Sequence, residues 1–202
     1  MNDKPFAPAT ERNSQPILDV LRTEFARAGS ILEIGSGTGQ HAVSFAPELS
    51  QLVWQASDVA DNQAGIRAWL HEAKLPNVPD PLVLDVLVDD APAETYDGVF
   101  SANTAHIMSF AAVGKMFSIV SNVLADGGLF VLYGPFRQGG EFNTTSNADF
   151  HRSLRQRDSA MGIRHIEDLD ELAAQGGMER ERLYAMPANN HIAVWQKRRE
   201  YS

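Results

Sequence analysis

The sequence predicts an α/β fold in which one mostly parallel sheet carries helices on both faces. Apolar runs typical of strands alternate with amphipathic helical stripes between Ser30 and Tyr133. Near the C-terminus, two further strands, Leu183–Met186 and Ile192–Trp195, flank a short loop. Because a parallel crossover needs about a dozen residues or more, these two strands must be antiparallel. We therefore expect a seven-stranded, mostly parallel sheet with a C-terminal antiparallel hairpin.

The elements of the first half follow from apolar spacing and from proline and glycine positions. We expect the first helix to start near Pro16, because a first helical turn tolerates proline, and to end at Gly29. The following elements are then a strand over Ser30–Ile34, a helix over Gln40–Phe45, a strand over Leu52–Ala56, a helix that includes Ile66–Ala73 and a strand over Leu82–Leu84.

The second half contains the most apolar elements. Tyr96–Ser101 predicts a fourth strand, and a long apolar stripe over Val113–Leu124 predicts a helix that stops before Gly127. Leu129–Tyr133 is almost wholly apolar, as a strand buried on both faces should be. A shorter helical stripe over Ile166–Ala173 precedes the hairpin.

Composition limits the function classes that this chain can serve. Its 202 residues suit a single domain, residues 1–202, and its formal net charge of −9 argues against a nucleic-acid ligand. The absence of cysteine excludes disulfides, thiolate metal sites and cysteine nucleophiles, and we expect no metal site. Neither a signal-peptide pattern nor a membrane-spanning apolar stretch is present, which is typical of a cytoplasmic protein without membrane partners.

The most informative motif is a glycine-rich turn directly after the first predicted strand, where Gly35, Gly37 and Gly39 alternate with Ser36 and Thr38. Such a turn lets a ligand approach backbone N–H groups that a Cβ atom would block, and the next helix begins there with its free donors. The dinucleotide fingerprint requires glycine at the sixth position, which is Gln40 here. A nicotinamide oxidoreductase is therefore disfavoured.

The motif Glu-x-Gly-x-Gly-x-Gly from Glu33 to Gly39 resembles that of the class I S-adenosylmethionine (SAM) methyltransferases. The predicted parallel sheet, closed by one late hairpin, resembles their Rossmann-like sheet. Asp58 follows the glycines at the spacing at which a carboxylate accepts bonds from ribose hydroxyls. The resemblance assigns Asp85 to the adenine amino group, the Val86 N–H to the ring and Glu33, directly or through water, to the ammonium group. Asn103 would then lie beside the sulfonium. Alternatively, each acid only caps a helix.

His106, a few residues after the fourth strand, is the candidate catalytic residue. A general base is needed only if the methyl acceptor holds a proton at the working pH, and a histidine there could remove it. Equally, His106 could fill the start of the following helix.

A narrower resemblance rests on four segments, Thr10–Asn13, Glu33–His41, Leu132–Phe136 and Pro187–Asn190. Together they resemble the methyltransferase-like protein 26 family, also called domain of unknown function 938, from about Pro8 to Trp195. The resemblance implies that residues 1–28 form an N-terminal helical segment that covers the cofactor cleft, with Arg12 in the binding site.

These observations predict a SAM-dependent methyltransferase with a small-molecule acceptor. Two alternatives stay open: a SAM-binding or partner-binding module without turnover, and a methyltransferase that acts on a protein.

Overall fold

The computed structural model describes residues 4–199. Its helices are α1 Pro8–Glu24, α2 Gln40–Phe45, α3 Gln63–Ala73, α4 Phe110–Val123, α5 Thr145–Arg157 and α6 Ile166–Gln175. Its strands are β1 Ser30–Ile34, β2 Val53–Asp58, β3 Leu82–Val83, β4 Tyr96–Ala102, β5 Leu124–Gly134, β6 Phe136–Arg137, β7 Arg164–His165, β8 Met178–Met186 and β9 Asn190–Lys197. None of the helices in this described range has the length and apolar character that crossing a membrane requires.

Seven strands form the main sheet in the order β3-β2-β1-β4-β5-β9-β8. All neighbouring pairs are parallel except those of β9, which is antiparallel to both β5 and β8. The predicted seven-stranded, mostly parallel sheet with its antiparallel C-terminal hairpin is thus confirmed. Strand order reverses between β1 and β4, and ligands of open α/β sheets bind at such a reversal, outside the carboxyl ends of the strands.

The sheet separates two apolar cores. Because successive side chains of a strand point to opposite faces, Ile31 of β1 packs in the core under α1 and α2, whereas Leu32 packs under α4. Trp54 is fully buried in the first core and Trp195 in the second. Both cores therefore hold the sheet rigid at the edge where the glycine turn emerges.

The first helix starts earlier than the sequence predicted. Pro8 occupies the first turn of α1, and Pro16 lies inside the helix, so the predicted start near Pro16 is wrong. The turns of α1 before Ile17 bury no residue, so the apolar stripe of this helix begins only at Ile17. Without an apolar stripe, those turns gave no periodic signal.

Helix α5 and the small parallel sheet formed by β6 and β7 were not predicted either. Only Asn147 and Leu154 of α5 are buried, and two-residue strands carry too little pattern to detect. Of these elements, α5 lies at the carboxyl ends of the parallel strands, where Ser146, Asn147 and Phe150 line one end of a cleft.

Candidate functional site

A cleft of about 1060 Å³ opens at the carboxyl ends of β1, β2 and β4. One end lies over the glycine turn and the residues that follow β2, and we call it the glycine-turn end. The other, the His106 end, lies against α5 and the turn between β8 and β9. The lining residues include Lys4, Pro5, Ala7, Thr10, Gly35, Ser36, Gly37, Thr38, His41, Asp58, Asp61, Asn62, Asn103, Thr104, His106, Met108, Pro135, Asn147, Phe150 and Asn190.

The glycine turn has the left-handed backbone that its sequence predicts, with φ of 75° at Gly35, 59° at Gly37 and 86° at Gly39. A Cβ atom on Gly35 would lie 2.6 Å from Thr104 Cγ2, so that glycine is required by packing. No atom lies within 4 Å of the Cβ position of Gly37, which lines the cleft. Gly37 therefore leaves open space where a ligand can approach the backbone.

Four of the five N–H groups of this turn, all except that of Thr38, are bonded within the protein. Those of Gly35 and Ser36 both donate to Ser57 O at 3.0 Å, and that of Gly39 donates to Ser36 O at 2.9 Å. The Gly37 N–H donates to Asp58 Oδ2 at 2.6 Å. Within the described residues, the Thr38 N–H is the one amide of this turn without a protein acceptor, so the expected role of the turn as a ligand donor stays a prediction for that group.

Asp58 ends β2 with its carboxylate against the glycine turn. Besides the bond from Gly37, Oδ1 accepts from Val59 N at 2.7 Å and from Asn62 Nδ2 at 2.8 Å. A carboxylate has about four acceptor positions, so these three donors leave one, on the Oδ2 side. Asp58 is thus held rigidly at the cleft and can still accept one further bond.

Glu33 lies behind the cleft rather than in it. Its side chain is 1% exposed, and Oε2 accepts from Ser36 Oγ at 2.9 Å and Trp54 Nε1 at 3.0 Å. Burial raises the pKa of Glu33 to about 7. Glu33 therefore reaches the cleft only through its neighbours Ser36 and His41.

His41 connects Glu33 to α1. Its Nδ1 lies 3.9 Å from Glu33 Oε1, and its Nε2 lies 2.9 Å from Asn13 Oδ1. Burial lowers the pKa of His41 to about 4, so the imidazole is neutral at pH 7. Since an amide oxygen only accepts, Nε2 carries the proton and Nδ1 faces Glu33 bare.

Four other residues with predicted ligand contacts lie away from the cleft lining. Asp85 Oδ1 accepts from Leu87 N at 2.9 Å within a surface turn, and Val86 is buried in the core under α4. Arg12 is exposed on α1. Gly39 lies behind the turn, where its Cβ position is 3.1 Å from Ile66 Cα. The predicted ligand contacts of these residues remain predictions.

The N-terminal segment forms one wall of the glycine-turn end. Ala7 N donates to Gln40 Oε1 at 2.6 Å, and Trp69 Nε1 donates to Pro5 O at 2.7 Å. Lys4 Nζ lies 2.7 Å from Glu72 Oε2 and 3.6 Å from the centre of the Trp69 ring. These bonds fix residues 4–10 against α2 and α3.

Asn103, which follows β4, lies between the two ends of the cleft. Its φ of 60° is a left-handed conformation that asparagine tolerates better than most residues, and its N–H donates to Tyr133 O at 2.9 Å. Next to it, Thr104 Oγ1 bonds Ser101 Oγ at 2.7 Å, and Ser101 Oγ donates to Ile34 O at 2.7 Å. These bonds fix the loop that carries His106.

His106 is 7% exposed and packs edge-on against Phe150, with 5.4 Å between ring centres. Burial, aided by the positive charge of Arg164, lowers the pKa of His106 to about 4. Its imidazole is therefore neutral at pH 7 and can accept a hydrogen bond or a proton. Arg164 itself donates to the carbonyl oxygens of Ala105, Met108 and Ala160 and so holds the loop in place.

Phe150, Asn147 and Ser146 of α5 also line the His106 end, and sequence reasoning missed all three. The spacing of these residues, which places them on one face of a helix, would have found them only if α5 itself had been predicted.

Known proteins resemble the chain in sequence and in fold. A family model described as "Protein of unknown function (DUF938)" matches residues 4–197. Among solved structures, an O-methyltransferase family protein from Burkholderia thailandensis superposes with a TM-score of 0.82 at 17% identity, covering 96% of this chain and 58% of that one. The pyocyanin biosynthetic protein PhzM gives 0.77 at 18%, with 94% and 56% covered. Human N-acetylserotonin methyltransferase in complex with SAM gives 0.79 at 12%, with 95% and 53% covered.

The chain thus spans a little over half the length of these structures, and at such low identity the likeness establishes the fold, a Rossmann-like class I methyltransferase fold. The family is established by the sequence match, which extends over nearly the entire chain, and this protein accordingly belongs to the DUF938 family.

Proposed function

We propose that the protein is a SAM-dependent methyltransferase that acts on a small molecule. The observation that carries the proposal is the continuous cleft of about 1060 Å³ from Gly37 to His106 at the carboxyl ends of the parallel strands. Small-ligand pockets usually measure about 300–1,000 Å³, so this cleft is large enough for a cofactor and an acceptor side by side. The methyltransferase fold of the neighbours supports the same reading. We also propose kinship with methyltransferase-like protein 26, on the four segments named above.

The residues at the glycine-turn end fit an adenosyl amino acid. Gly37 offers backbone without a side chain, and Asp58 offers one acceptor position to a ribose hydroxyl. The wall formed by residues 4–10 closes this end on its outer side. Asn103 would then lie near the sulfur. Ser36 and His41, which contact the buried Glu33, would lie between Glu33 and the ammonium group.

SAM supplies an electrophilic methyl group, so the protein needs mainly to align the acceptor and exclude water. At the His106 end, Phe150, Met108 and Pro135 provide apolar contact for the acceptor, and Asn147 and Asn190 provide polar contact. The neutral imidazole of His106 accepts the hydrogen bond of an acceptor hydroxyl or acid and takes its proton as the methyl group is transferred. The low pKa of His106 makes it a weak base, so this step suits an acceptor that gives up its proton readily.

Titration calorimetry with SAM and with its demethylated product tests the cofactor part of the proposal. The sharpest variant is Gly37→Ala, because the new methyl group would occupy space at the cleft without meeting protein atoms. Gly177→Ala is the matched control: its φ is 71°, and no atom lies within 4 Å of its Cβ position, but it is remote from the cleft.

We expect both variants to lose about 1 kcal/mol of stability from the left-handed backbone, and only Gly37→Ala to lose SAM affinity. Absence of binding to the folded wild-type protein would refute the proposal. Binding without release of demethylated product from a metabolite extract would favour the module without turnover. Release of product with a protein extract alone would favour a protein acceptor.

A further inference from the structure

A group of five basic side chains surrounds the junction between α5 and the small β6–β7 sheet. It consists of Arg137, His151, Arg155, Arg164 and His165, and we call it the basic cluster. β6 and β7 place Arg137 directly opposite His165. His151 Nδ1 accepts from Ile163 N at 3.1 Å, which brings it beside Arg164.

Two further contacts complete the basic cluster. The Arg137 guanidinium carbon lies 4.7 Å from the centre of the Phe142 ring, which in turn lies 5.1 Å from the His151 ring. Arg155 follows His151 by one helical turn on the same face of α5, and its Cδ lies 3.5 Å from the Cβ position of Gly162. The five side chains thus converge from three segments.

In the part of the chain that the structure describes, the three arginines of the basic cluster form no salt bridge, although one acid, Glu167, lies near its edge: Glu167 Oε1 accepts from Gly139 N at 2.9 Å, and the charge of His165 helps to lower the Glu167 pKa. Within residues 4–199, no carboxylate lies at salt-bridge distance from Arg137, Arg155 or Arg164. The buried Nε of Arg137 has no hydrogen-bond partner, although an unpaired buried donor costs stability. In a chain with a net charge of −9, three neighbouring arginines without a salt bridge in the described range leave an excess of positive charge at this place.

The pKa of His151 agrees with this concentration of charge. It is lowered first by burial and then by the positive charges of Arg137, Arg155, Arg164 and His165. Mutual repulsion among these groups is relieved when an anion binds between them.

We infer that the basic cluster is a binding site for an anionic group, a carboxylate or a phosphate, beside the His106 end of the cleft. Phe150, which lines the cleft, directly precedes His151 on α5, and Arg164 holds the loop that carries His106. The anionic group belongs either to the molecule in the cleft or to a separate ion. The inference does not depend on the proposed function, because the site is assembled from protein charges alone.

Inorganic phosphate is the first probe, titrated at constant ionic strength into protein whose histidine imidazoles are observed by NMR. We expect saturable shifts at His151 and His165 and none at His71, which is exposed on α3. Arg155→Gln should weaken the binding about tenfold, as loss of one charge-assisted bond does. Arg152→Gln, on the same helix but with Asp149 as partner, should change it less than about twofold.

The second probe, 4-hydroxybenzoate, distinguishes the two sources of the anion. Shifts at both His106 and His151 would mean that one molecule spans the cleft and the basic cluster, and shifts at His151 alone would indicate a separate anion. The inference is overturned if neither probe shifts His151 saturably, or if Arg152→Gln weakens binding as much as Arg155→Gln. Failure of SAM to bind would leave the phosphate result unaffected.

Discussion

Asp58 combines a structural and a binding task in one carboxylate. Three protein donors hold it in place, and one acceptor position remains on the Oδ2 side of a residue that lines the cleft. We expect Asp58→Ala to weaken SAM binding by about 1–3 kcal/mol, because a charge-assisted bond is lost. Calorimetry measures the affinity, and urea unfolding measures the accompanying loss of stability from the unpaired Gly37 N–H. An unchanged affinity would remove Asp58 from the site.

Glu33 gives the protein a specific pH dependence. Its pKa rises from 4.5 to about 7 on folding, so the folded state holds a proton that the unfolded state has released between these values. The contribution of Glu33 to stability is therefore fully present below about pH 4.5 and falls as the pH rises to about 7. At 1.36 kcal/mol per pKa unit, the total fall is about 3 kcal/mol.

Glu33→Gln should abolish this part of the pH dependence while keeping partners for Ser36 and Trp54. Urea unfolding of both proteins from pH 4.5 to 8 provides the measurement. We expect the free energy of unfolding of the wild type to fall relative to that of the variant as the pH rises. Above about pH 8 the difference between the two should stay constant. A constant difference across this range would show that Glu33 ionises normally.

At the scale of single elements, α4 and the end of α6 contain glycines with opposite expected responses. A Cβ on Gly114 would meet Leu172 Cδ2 at an ordinary 3.6 Å, whereas one on Gly176 would lie 2.6 Å from Ser121 Cβ. Gly114→Ala should therefore stabilise the protein by about 0.5–1 kcal/mol through helix propensity, and Gly176→Ala should destabilise it. Thermal unfolding compares the two, and a lower melting temperature for Gly114→Ala would contradict the α4 packing described here.

Elements with a strong apolar pattern and clear boundaries were predictable from the sequence. β1 and α2 have their predicted bounds, because Gly29 ends the preceding turn and the glycine turn separates the two elements. α5 could not be found, since its large apolar residues are only Phe150 and Leu154. Its position depends on tertiary contacts such as that between Asn147 Nδ2 and Asn189 O.

The candidate site was predictable where side chains follow the strands directly. Asp58, Asn103 and His106 line the cleft because β2 and β4 deliver them to its edge. Asp85 does not, because β3 is only two residues long and the chain turns away before reaching the cleft. Strand length depends on pairing with β2, which the apolar run over residues 82–84 does not specify.

At the scale of the whole molecule, β5 and β9 connect the two cores. Val131 and Val194 pack in the core under α1 and α2, and their neighbours Phe130 and Trp195 pack in the core under α4. Neither core can lose these strands without exposing the other. We therefore expect residues 1–202 to unfold as one domain in a single transition.

Coincident urea transitions by circular dichroism and by tryptophan fluorescence test this expectation. Fluorescence reports on Trp54 in one core and Trp195 in the other, besides the partly exposed Trp69 of α3, so separate unfolding of the two faces would appear as two steps. A calorimetric enthalpy equal to the van't Hoff enthalpy would complete the evidence for a single transition.

The internal bonding of the glycine turn has a consequence for how ligand binding can be observed. Because the amides of Gly35, Ser36, Gly37 and Gly39 all have protein acceptors, their hydrogens exchange slowly with deuterated solvent even in the free protein. Occupancy of the cleft will therefore alter deuterium uptake little in this turn. The change will be larger in the segment around Ala7, whose attachment to α2 relies on a single amide bond.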